Sequence, residues 1–133
     1  MSYSATDRRL IAFTVHTFSG SETYSWIGPK GKACKLYDYG VYGVTTVFSG
    51  GPTCSIGSPA DADAYGDDFA FGALADNHAM SVRQTYGQYD TTNLALYLLA
   101  AGQAIAADSE IVYSAIAGGG GVATPFMILD YDW

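Results

Sequence analysis

Ile111-Val112-Tyr113-Ser114-Ala115-Ile116-Ala117, then Gly118-Gly119-Gly120-Gly121, then Val122-Ala123-Thr124-Pro125-Phe126-Met127-Ile128-Leu129-Asp130-Tyr131-Asp132-Trp133 is the stretch on which the fold turns. Both flanks are rich in β-branched and aromatic residues, which suit a pleated, half-buried surface. Four glycines join them. The pattern predicts a closing hairpin with a mobile glycine tip and a final strand tied down to the last residue. It points to an all-β module with a structural or binding role and names no reaction.

Working back from it, short β-favouring runs recur between turn signals. Leu10 to His16 reads as a first strand, apolar enough to be buried on both faces. Glu22 to Ile27 alternates polar residues with Tyr24 and Trp26, and Gly28-Pro29-Lys30-Gly31 is a turn. Ala33 to Phe48 is the longest run; Gly40 and Gly43 inside it predict bulges or bends, so that one bent strand could serve two sheets. Thr53 to Gly57 and Met80 to Tyr86 read as further strands. Leu94 to Ala101 reads as a strand with a short helix as its rival, since Leu and Ala favour helix but the segment is brief.

Between them, residues 58–79 form one long loop, with a helical turn at Asp61 to Tyr65 and Phe69, Phe71 and Leu74 anchoring it to the core. Turns this regular favour an antiparallel β-sandwich or jelly roll over βαβ units. The expected organisation is a flexible N-terminal arm over 1–9 and a single sandwich domain over 10–133.

Composition narrows the function. The chain has 133 residues, 13 Asp+Glu against 6 Lys+Arg, and a formal net charge of −7. An acidic field repels nucleic acid, whose binding needs clustered cations, and only Arg8-Arg9 and Lys30, Lys32, Lys35 cluster. Nucleic-acid binding is therefore not expected. Only 14% of residues are charged, against about a quarter in ordinary domains. Such a surface suits a part that sits in an assembly. No run reaches the ~20 apolar residues of a membrane helix, and residues 1–9 lack the apolar stretch of a signal peptide. The expectation is a protein made in a cytosol that does not engage membranes.

Candidate chemistry is thin. Asp61, Asp63, Asp67 and Asp68 around Gly66 open like a calcium loop, but Gly72 stands where the bidentate Glu belongs and Tyr65 replaces an oxygen ligand. A solvated, capped turn is the preferred reading. Asp130 and Asp132 share one face of a strand and could act as a carboxylate pair on sugars; a polar-faced edge strand gives the same pattern without any chemistry and is the preferred reading. His16 and His78 are far apart with no nucleophile beside them, and the glycine run lacks the Lys-Ser/Thr of a phosphate loop. Cys34 and Cys54 fit no zinc spacing and are expected as two free, buried thiols. No catalytic, cofactor or metal residue is assigned.

The strongest remaining signal is eleven tyrosines. Tyr24, Tyr37, Tyr39, Tyr42, Tyr65, Tyr86, Tyr89, Tyr97, Tyr113 and Tyr131 outnumber what a small core would take, and tyrosine suits interfaces. They cannot all be central, and those on outer faces are expected to grip protein partners, with sugar binding as the rival use.

The segments Ile56-Gly57, Asp61-Ala62-Asp63-Ala64-Tyr65, Ile105 to Tyr113, the glycine run and Met127-Ile128-Leu129-Asp130-Tyr131 together resemble small β-sandwich virion proteins of tailed bacteriophages. The resemblance runs loosely from about residue 49 to the end. It implies a non-enzymatic capsid decoration (cement) protein or a head-fibre or tail accessory protein on the outer capsid surface of the virion. The implied partners are the major capsid protein and other copies of the chain, with a trimer preferred by analogy. The alternative is a carbohydrate- or receptor-binding module of a tail or head fibre, which calls for exposed aromatics beside Asp67, Asp68 or Asn77. Neither reading carries catalytic residues or a cofactor.

Overall fold

The computed structural model describes residues 6–72, 74–75, 78–86, 91–98 and 104–132. They build an all-β sandwich of two antiparallel sheets. The strands are β1 (Thr6–Ala12), β2 (His16–Thr17), β3 (Glu22–Trp26), β4 (Cys34–Ser49), β5 (Thr53–Gly57), β6 (Gly66–Ala70), β7 (Met80–Ser81), β8 (Ile111–Ile116) and β9 (Gly120–Asp132), with helices α1 (Val82–Tyr86) and α2 (Thr91–Tyr97). The first sheet runs β1-β9-β4-β7, with β2 also on β9; the second runs β3-β8-β5-β6.

The closing segment is not a hairpin. β8 pairs with β3 and β5, whereas β9 pairs with β1 and β4 in the other sheet. The glycine run is therefore a crossover between sheets. It lies against a second crossover, Ser49 to Pro52, which leads from β4 to β5. A Cβ on Gly118 would collide with Gly51 and Pro52, and one on Gly50 with Gly118 and Gly119. Close backbone approach, not a mobile tip, is what these glycines supply.

Alternation along β9 sorts its side chains. Ala123, Met127, Leu129 and Tyr131 are buried in the core, and Val122, Thr124, Phe126, Ile128, Asp130 and Asp132 occupy the other face. β9 is a central strand, so Asp130 and Asp132 do not mark an edge. β4 stays in the first sheet throughout, paired with β9 from Cys34 to Ser49, and does not serve both sheets. Gly43, at φ 62°, sits in its register shift between Tyr42 and Thr46, as a bulge requires. Gly40 instead admits the backbone of Met80.

Other expectations change for local reasons. β1 begins at Thr6, so Thr6 to Arg9 belong to the sheet rather than to an arm; residues 1–5 lie outside the described set. The first strand stops at Ala12 and alternates, with Ile11 buried and Leu10 exposed, so it is not covered on both faces. The expected loop over 58–79 contains β6, which pairs with β5 and buries Phe69 between exposed Asp68 and Ala70. Asp61 to Tyr65 is a plain turn closed by Ala64 N–H to the Asp61 carbonyl at 3.3 Å. After Ser81 the chain turns helical, because Ser81 Oγ accepts from Gln84 N at 3.1 Å and Asp38 Oδ1 from Arg83 N at 3.0 Å, filling orphan donors of the first turn. Leu94 to Tyr97 is helical too, within α2. Leu94 and Leu98 are buried while Leu96 is exposed, a spacing of four rather than two; residues 99–101 lie outside the described set.

The tyrosines turn inward. Tyr39, Tyr113 and Tyr131 are fully buried, and Tyr24, Tyr65, Tyr86 and Tyr97 pack against the core. Their hydroxyls join the two sheets: Tyr39 of β4 donates to the Asp67 carbonyl of β6, Tyr113 of β8 donates to the Gly40 carbonyl of β4 at 2.7 Å, and Tyr131 of β9 accepts from Trp26 Nε1 of β3 at 2.8 Å. A phenol is long enough to cross the interior and still end on a polar partner. Tyr89 lies outside the described residues.

Candidate docking face

The outer face of the first sheet carries the most distinctive surface chemistry of the described residues. Arg8, Asp130 and Lys35 stand side by side on β1, β9 and β4. The Arg8 guanidinium grips Asp130 through Nε to Oδ1 at 2.7 Å and Nη2 to Oδ2 at 3.0 Å. Such a bidentate pair fixes both side chains, and the bond to Asp130 raises the Arg8 pKa. The same guanidinium lies 3.5 Å from the centre of the Tyr37 ring, and Arg83 of α1 covers the other face of that ring at 3.9 Å. Arg83 Nε also donates to the Tyr37 carbonyl. Two cations clasping one ring lock β1, β4 and α1 together.

Beyond this ladder the face becomes apolar. Leu10 is beside Ile128 and is 59% exposed. Tyr42, the most open of the described tyrosines, is 38% exposed and rests edge-on against Phe126 at 5.8 Å between centroids. The outer face of the second sheet is plainer. It shows Thr23 and Ser25 on β3, whereas Ser55 on β5 is buried under a crossing loop and donates from Oγ to the Ala62 carbonyl. An open groove of about 420 Å³ lies there beside Glu22, Thr23, Ser114 and Ile116.

The sequence candidates for chemistry fall apart in space. Asp130 is committed to Arg8 through both carboxylate oxygens. Asp61, Asp63, Asp67 and Asp68 are all exposed; Asp63 is raised by its hydrogen bond to Asp61 and by the surrounding carboxylates. Among the described residues, no group of three or more His, Cys, Asp or Glu side chains is arranged to hold a metal ion. His16 is buried, with Nδ1 2.9 Å from the Tyr24 hydroxyl and Nε2 2.7 Å from the Gly20 carbonyl, whereas His78 is exposed in the segment before β7. Cys34 and Cys54 are free and buried, on opposite sheets.

Among the described residues, the tyrosine-gripped outer surface expected from composition is thus replaced by one exposed tyrosine on an apolar and cationic face. Sequence reading passed over Leu10 and Arg83 as surface features. The alternations Arg8-Leu10-Ala12 and Phe126-Ile128-Asp130 were visible in it, but their juxtaposition across 122 positions was not.

Compared with protein-family models, curated proteins and solved structures, the chain has no match. Among the described residues, no helix is long and apolar enough to cross a membrane.

Proposed function

We propose that this chain is a non-enzymatic virion structural protein of a tailed bacteriophage, a decoration protein that binds the outer surface of the capsid shell as a homo-oligomer. The observation that carries the reading is the outer face of the first sheet, where exposed Leu10 follows Arg8 and Lys35 at the Asp130 end of β9, and exposed Tyr42 lies further along at Thr124. An aromatic anchor with a charged rim is the usual composition of a protein-binding patch. The resemblance of the closing segments to phage virion proteins supplies the class of partner. The acidic net charge of −7 supports a site outside the shell, away from packaged DNA. The sheet-to-sheet tyrosine bonds favour a rigid part over one that must open and close.

Sugar binding has less support. It needs open aromatics beside Asp67 and Asp68, and there Phe69 and Tyr39 are buried and Tyr97 packs inward; Asn77 lies outside the described residues.

Co-sedimentation with purified phage shells tests the proposal. The chain is expected to saturate at a fixed ratio to the shell protein, and Tyr42→Glu combined with Lys35→Glu is expected to weaken binding about tenfold or more while leaving the fold intact. Absence of binding to any shell, or full binding by the double variant, would reject it.

A further inference from the structure

We propose that the free edge of β1 is an interaction surface for a second copy of this chain, the two β1 strands pairing antiparallel about a two-fold axis at Leu10. The inference concerns the protein alone in solution and does not depend on the identity of the shell.

Hydrogen-bond parity defines the edge. Phe13 N donates to the Pro125 carbonyl at 2.9 Å, in the same register that sets Ile11 opposite Met127 and Arg9 opposite Leu129. In an antiparallel ladder, alternate residues turn their backbone groups toward one neighbour. Arg9, Ile11 and Phe13 therefore spend theirs on β9, and Arg8, Leu10 and Ala12 direct theirs away from the sheet. The other side of β9 agrees, since Asp132 N donates to the Ala33 carbonyl beside β4. Among the described residues no strand pairs with this side of β1, and a row of outward donors and acceptors on a seven-residue edge is a template for another strand. The remaining edges are less suitable: β7 has two residues, β3 has five, and β6 packs against α2.

Charge selects both the partner and the register. A two-fold axis at Arg9 would set Arg9 against its own copy, and one at Arg8 would do the same for Arg8; like charges directly opposite are unfavourable. An axis at Ile11 would leave only Leu10 to Ala12 overlapping within the strand. The axis at Leu10 sets Arg8 opposite Ala12, Arg9 opposite Ile11, and the exposed Leu10 side chain on its counterpart. It is the longest overlap that opposes no like charges, and it is self-complementary, as a two-fold interface must be. The two first sheets would then form one continuous sheet.

The test uses the full chain without any shell. Sedimentation should show a dimer, and Leu10→Cys should form a disulfide-linked dimer under mild oxidation, because hydrogen-bonded partners sit about 5.5 Å apart at Cα, within disulfide reach. Ala12→Cys should not, since four residues of strand separate its copies by more than about 13 Å. Cys34 and Cys54 are buried and do not compete. Leu10→Pro, which removes an outward N–H that β9 does not use, should raise the dimer dissociation constant about tenfold or more, with an unchanged circular dichroism spectrum. Leu10→Lys is a second probe, opposing like charges without altering the backbone. A wild-type monomer or trimer at high concentration, or equal cross-linking at Leu10 and Ala12, would overturn the inference.

Discussion

Trp26 Nε1 donates to the Tyr131 hydroxyl at 2.8 Å, joining β3 of one sheet to β9 of the other. Gly28 makes room for this contact, because a Cβ there would run into the Tyr131 ring. Removing the hydroxyl by Tyr131→Phe leaves the half-buried indole N–H without its acceptor. The expected cost is about 1–2 kcal/mol in urea unfolding. Tyr113→Phe, which removes a buried donor to the Gly40 carbonyl, should cost a similar amount, and Tyr42→Phe on the surface less than about 0.5 kcal/mol. Equal effects for buried and exposed tyrosines would contradict the role given to them here.

The paired crossovers make a second prediction. Gly118→Ala must part the Gly118 segment from Gly51 and Pro52, and a loss of more than about 2 kcal/mol is expected. Gly20 has open space around it, so Gly20→Ala should stay within about 0.5 kcal/mol of the wild type. Thermal unfolding of the two variants side by side decides the matter. A mild effect at Gly118 would restore the picture of a loose hairpin tip.

Asp38 is buried, and its Oδ1 accepts from Tyr39 N at 2.9 Å and Arg83 N at 3.0 Å. Burial raises its carboxyl above the ordinary carboxylate range, and the bonds from Ser81, Arg83 and Tyr39 offset only part of that. A folded pKa above the unfolded one means that the folded chain holds this proton more tightly. The corresponding stability is present at low pH and is lost as pH rises through the raised value. Asp38→Asn carries no charge to desolvate, so its stability relative to the wild type should improve between about pH 3 and pH 7. A difference that is flat or opposite in sign across that range would show that the bonds outweigh burial.

The thiols should be inert in the folded protein. Burial pushes the Cys34 thiol up to about 11, and burial likewise raises Cys54 strongly. Thiolate is the reactive form, so neither should be alkylated at neutral pH until denaturant is added, when both should react. Rapid labelling of the native chain, followed by mass spectrometry, would indicate local opening of β4 or β5.

Local chemistry alone announced much of this protein. The β-rich runs at Glu22, Ala33, Thr53 and Ile111, and the turns at Gly28 and Ser49, correspond to strands and connections because side-chain alternation and glycine or proline conformations act over a few residues. The helices were also written locally, in Ser81-x-x-Gln84 and in the Leu94, Tyr97, Leu98 spacing, although a reading weighted toward strands passed over them. What no local pattern carries is the choice of neighbour. Two β runs joined by glycines suit a hairpin or a sheet-to-sheet crossover equally well. The outcome was decided only when β9 inserted between β1 and β4 while β8 inserted between β3 and β5. The same step turned the tyrosines from surface residues into cross-sheet ties. Burying a phenol is favourable only where a partner for its hydroxyl waits on the opposite wall, and that wall exists only in the folded chain.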